Sequence, residues 1–98
     1  MLKKAYSKKG TSCRVTFKVP AEVAETEVAV LGDWNDWSEE TNPLVKRKDG
    51  SFSATISLDA GREYRFRYLV DGERWENDDA PDQLVYNRFG SQDCVLAL

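Results

Sequence analysis

Alternation with a period of two runs through most of this chain and constrains its fold more than any other feature. Cys13, Val15, Phe17 and Val19 alternate with Arg14, Thr16 and Lys18, and Val28, Val30 and Gly32 alternate with Ala29 and Leu31. Phe52, Ala54, Ile56 and Leu58 alternate with four small polar residues, and Tyr64, Phe66, Tyr68 and Val70 alternate with Arg65 and Arg67 until Leu69 breaks the pattern. Successive side chains of a strand point to opposite faces, so each run reads as a strand with one buried face. Residues 94–98 read as a short apolar end strand, and no segment sustains a helical period. Asp49-Gly50 and Asp71-Gly72 are hairpin signals, and Asp59-Ala60-Gly61 marks another reversal. Short strands at this spacing predict one all-β domain, a β-sandwich over residues 11–98.

Residues 1–10 carry Lys3, Lys4, Lys8 and Lys9 and read as a flexible basic N-terminal tail. These lysines are four of the 14 basic residues, and all 17 acidic residues follow them, so the body carries a formal charge of −7. An acidic body argues against a nucleic-acid partner, which needs clustered positive charge. No apolar run approaches the roughly 18 residues that span a bilayer, and none follows the lysines as in an export signal. A cytoplasmic protein with no membrane partner is expected. In that compartment Cys13 and Cys94 are expected as free buried thiols, although neighbouring terminal strands would allow a bridge.

Catalysis lacks its usual means. The chain has no histidine, hence no Ser-His-Asp or Cys-His arrangement, and neither a Cys-x-x-Cys motif nor a phosphate-binding glycine loop. Asp78-Asp79 is a tight acidic pair near an aromatic residue, but residues 73–82 read more simply as a solvated acidic loop. The expectation is a non-enzyme without cofactor or metal.

Two polar segments, residues 32–43 and 72–90, hold aromatic residues that need a reason. Trp34 continues the strand phase of Val28, Val30 and Gly32, which points it into the core. Trp37 has polar neighbours and reads either as a lid over the sandwich end or as an exposed platform. Trp75, between Arg74 and Glu76, reads as a strand-edge residue whose ring faces either way. Exposed indoles suit sugars: one pyranose face presents C–H groups to the electron-rich ring, and the hydroxyls seek amides, carboxylates and guanidiniums around it. Arg67 points away from the strand's core face. It could donate to such hydroxyls or pair with a surface carboxylate.

These residues together resemble family-48 carbohydrate-binding modules, the isoamylase N-terminal early-set domains, whose relatives include the glycogen-binding domain of the AMP-activated protein kinase β subunit. The resemblance rests on residues 30–37 (VLGDWNDW), Asp49-Gly50-Ser51-Phe52, residues 64–72, Trp75 and Asn87-Arg88-Phe89-Gly90. It implies an immunoglobulin-like sandwich that binds α-glucans: glycogen, starch or malto-oligosaccharides. It further implies stacking by Trp37 and Trp75, hydroxyl contacts from Arg67, insertion of Phe89 into the sugar curve, and polar contacts from Ser91 and Asp93. Three departures stand out: Arg67 for a lysine, which keeps the charge but changes its geometry, and Asp93 for an asparagine and Asp79 for a proline, which imply a binding face more acidic than in the kinase relatives. The chain looks like the small stand-alone members of that group. The alternative is a protein-interaction domain of the same fold, docking a glycogen-metabolising enzyme or a second copy through an apolar edge at residues 94–98.

Overall fold

The computed structural model describes residues 2–98, and these form nine strands in two antiparallel sheets, the alternating runs among them. The first sheet holds β1 (Leu2–Tyr6), β2 (Ser12–Val19), β5 (Phe52–Asp59) and β4 (Val45–Lys46), in the order β1-β2-β5-β4. The second runs β3-β6-β9-β8, with β3 at Val28–Gly32, β6 at Glu63–Val70, β9 at Gln92–Ala97 and β8 at Gln83–Tyr86. A further short strand, β7 (Arg74–Glu76), pairs with the last residues of β6. The architecture is the expected all-β sandwich.

Its core is made of the predicted inward positions. Cys13, Val15, Phe17 and Val19 of β2 meet Tyr64, Phe66, Tyr68 and Val70 of β6, with Val28, Val30, Phe52, Leu58, Cys94 and Leu96 completing the cluster. Phe17 sits at its centre, edge-on to Phe66 at 5.2 Å and stacked on Trp34 at 5.4 Å. Burying one such ring contributes about 1.5–3 kcal/mol, before the gain from ring geometry. Trp34 therefore packs against the core, as its phase predicts. Cys13 and Cys94 are buried free thiols on opposite sheets.

The hairpin signals hold. Asp71 and Gly72 both take positive φ, 53° and 74°, in the turn between β6 and β7. The Asp71 carboxylate accepts the backbone N–H groups of Glu25, Thr26 and Glu27 and so ties the approach to β3 onto this turn. Those bonds, led by Thr26, hold its carboxyl well below the usual carboxylate range. Gly50 turns the chain between β4 and β5 at φ 87°. At the crossing from β5 to β6 the Tyr64 hydroxyl donates to the Asp59 carbonyl at 2.8 Å.

Three expectations are corrected. The basic tail is not free: residues 2–6 form β1, paired along their whole length with β2, while Met1 lies outside the described residues. Lys4 reaches Asp82 at 2.7 Å and the Ala97 carbonyl at 3.1 Å, joining the edge of one sheet to the other. The acidic segment 73–82 is not loop throughout, because β7 lies within it, and β8 follows it. Leu69, which breaks the alternation, faces outward yet is buried, because it sits on the central strand between Ala29 and Trp75. The apolar stretch at residues 94–98 is not an exposed edge: β9 lies between β6 and β8, and Cys94, Val95 and Leu96 are buried. Among the described residues no helix is long and apolar enough to cross a membrane.

Candidate functional site

The outer face of the second sheet is set by β6. Its inward residues are Tyr64, Phe66, Tyr68 and Val70, so Arg65, Arg67 and Leu69 point outward. Trp75 lies directly across from Leu69 in the antiparallel register and therefore shares that face. Trp75 is 45% exposed, and the Arg67 guanidinium lies 5.5 Å from its ring centroid. That is cation–π range, and it sets the arginine beside the indole.

Trp37 reaches the same face from the other side of β6. After β3 the chain makes a 3-10 turn, Asp33–Asn35, and then places Asp36 and Trp37 in the left-handed region at φ 54° and 58°. An aromatic residue there is uncommon and holds its conformation only when its surroundings fix it. Asn35 does much of that fixing. It accepts the Gly32 N–H at 3.0 Å and donates to the Val30 carbonyl and to Asn42 Oδ1. Asp33 does the rest: Oδ1 accepts the Trp37 indole N–H at 3.2 Å, and Oδ2 accepts the Arg65 backbone N–H at 2.8 Å. Trp37 is half-buried, with its edge pinned to β6 through Asp33.

The third wall is the turn between β8 and β9. Asn87 organises it: its Oδ1 accepts the N–H groups of Phe89 and Ser91, and its Nδ2 donates to Ser91 Oγ and to Asp93 Oδ1. Gly90 closes the turn at φ 82°. Phe89 is left at the tip, 80% exposed, with Arg88 over its ring at 5.0 Å. Ser91 is half-buried and Asp93 buried.

Beneath the groove a second layer holds these walls in place. Beyond β7, Asn77 faces Arg67 and accepts its Nε–H at 3.2 Å. The next residue, Asp78, turns inward to accept the Tyr68 hydroxyl at 2.6 Å, and its own N–H reaches Cys94 Sγ at 3.2 Å. Burial first, then the facing Asp78 charge, pushes the Tyr68 phenol upward. Burial also pushes the Cys94 thiol up to about 11.

The structure thus brings all six residues singled out from the sequence to one groove of about 700 Å³: Trp37, Trp75, Arg67, Phe89, Ser91 and Asp93. Asp79 is not among them; it lines separate depressions with Lys18 and Pro20. Arg65 and Arg88 join Arg67 in the lining. The sequence reading missed Asp33, Arg65 and Asn87. Arg65 was available from period two, two residues before Arg67. Asn87 was available as an Asn three residues before a glycine, which marks a side-chain-capped turn. The chain matches, over residues 14–95, the family described as the glycogen recognition site of AMP-activated protein kinase. The chain belongs to this family. A comparison with curated proteins finds no match. The stretch matched to the glycogen-recognition family takes in every residue that lines the groove, whereas β1 precedes it. Membership supports carbohydrate or glycogen binding in general.

Proposed function

We propose that the domain binds α-glucans non-catalytically, with glucose rings stacked on Trp37 and Trp75. The observation that carries this reading is the groove: two indoles from separate segments line it together with a guanidinium, a hydroxyl and an exposed phenylalanine. A flat apolar surface rimmed by donors and acceptors suits a sugar's two-sided chemistry, C–H groups on one face and hydroxyls at the edge. In this reading Arg67 donates to hydroxyls from a position fixed by Asn77. Phe89 fills the concave side of the glucan helix, and Ser91 and Asp93 meet the polar edge. Asp93 offers acceptors alone, so it accepts hydrogen bonds from hydroxyls. Ligands of this kind include glycogen, starch and malto-oligosaccharides. Titration with maltoheptaose, followed by indole fluorescence, tests it. The expected result is a saturable change in the wild type and affinity at least roughly tenfold lower in Trp37→Ala and Trp75→Ala, the size of effect seen when a central aromatic anchor is lost. No change at millimolar sugar in the folded protein would remove this reading.

A second reading, docking of a glycogen-metabolising enzyme or of a second copy, draws on the edge strand β8, which exposes Leu84 and Tyr86. Association on a sizing column that Trp37→Ala leaves unchanged would favour it.

A further inference from the structure

The groove's charge is at odds with the rest of the chain. Arg65, Arg67 and Arg88 line it against Asp33 and Asp93, so its lining is formally +1 on a chain of −3. Both carboxylates are already engaged by protein donors. Asp33 accepts the Trp37 indole and the Arg65 backbone N–H, and buried Asp93 accepts from Asn87. Lys4–Asp82 and Arg74–Glu76 are ion pairs of the surface, and neither involves a groove arginine. Arg67 is tied to neutral partners, Asn77 and, at 3.5 Å, Ser91. Arg65 is exposed, and Arg88 rests on the Phe89 ring.

A neutral sugar can use one guanidinium as a hydroxyl donor. Covering two more with a neutral ligand strips their water and supplies no counter-charge, which is unfavourable. A phosphate ester reverses that balance: its oxygens accept the paired N–H groups of an arginine fork in charge-assisted bonds. The two requirements also fit one ligand geometrically. A pyranose lying flat on an indole turns its edge substituents sideways, and Arg65, Arg67 and Arg88 line the same groove as the indoles. The geometry points to a groove that prefers α-glucans bearing phosphate monoesters over unmodified chains, with Arg65 and Arg88 as the anion-binding pair. This inference rests on the glucan-binding reading above.

Calorimetric titration with phosphorylated maltoheptaose, and with the same sugar after phosphatase treatment, separates the two. The expected result is about tenfold tighter binding of the phosphorylated chain at low salt, with the difference largely lost near 0.5 M salt, where the screening length falls to a few ångströms. In Arg65→Gln/Arg88→Gln, checked for folding by circular dichroism, the ratio of the two affinities falls to near one. Equal affinities in the wild type would overturn the inference and leave glucan binding standing. Binding of neither sugar would remove both. Inorganic phosphate that binds as tightly as the phosphorylated sugar would mark a free-anion site and would overturn the preference for a glucan ester.

Discussion

Gly32 shows how a single residue can link core and groove. A Cβ at this position would lie 2.4 Å from the Trp34 ring and 2.7 Å from the Arg65 carbonyl, so even alanine forces Trp34 away from Phe17. Its backbone is extended, so the need is for space and not for a left-handed turn. Gly32→Ala should lower stability by about 1–3 kcal/mol, the usual cost of overpacking, measured by urea unfolding. It should weaken sugar binding as well, because Gly32 also holds Trp37 through the Trp37 N–H to Gly32 carbonyl bond at 3.0 Å. Tyr68 makes a different link. Removing its hydroxyl deprives the buried Asp78 carboxylate of a 2.6 Å donor. Tyr68→Phe should cost about 1.5–3 kcal/mol, as for other hydrogen bonds to a charged group. An unchanged denaturation midpoint would contradict that role.

The elements differ in how plainly the sequence announces them. Strands β2, β5 and β6 each put four apolar residues on one face and were legible from period two alone. The strands β1, β7 and β8 were not. They are three to five residues long and mostly exposed, so burial imposes no alternation on them and backbone pairing decides their place. In the site, Trp37, Trp75 and Arg67 were legible from residue chemistry, phase and family resemblance. Asp33 and Asn87 act by accepting N–H groups, and Asp33 reaches β6 at Arg65 across the fold, a pairing that no local pattern encodes. The Asp71 turn carries a prediction at this scale. Its carboxyl is held low in the folded state, so ionisation favours folding above the unfolded value of about 4. That contribution is lost as pH falls from about 4 toward the folded value. Urea midpoints recorded between about pH 7 and pH 3 should drop less in Asp71→Asn than in the wild type. Parallel slopes would contradict this.

At the scale of the molecule, the sandwich keeps its polar interior satisfied: among the described residues no buried side-chain nitrogen or oxygen lacks a partner. The inner face supplies rigidity through Phe17, Phe66 and Tyr68, and the outer face of the second sheet is free to present the groove. The three tryptophans divide between these tasks. Trp34 packs against the core, while Trp37 and Trp75 line the groove. Each indole N–H gives its own NMR signal, assignable through single Trp→Phe variants, so one titration with maltoheptaose examines all three. The signals of Trp37 and Trp75 should move together along one binding curve while that of Trp34 stays in place. If the Trp37 and Trp75 signals stay fixed at millimolar sugar, or only Trp34 responds, two indoles forming one sugar platform is the wrong description of this protein.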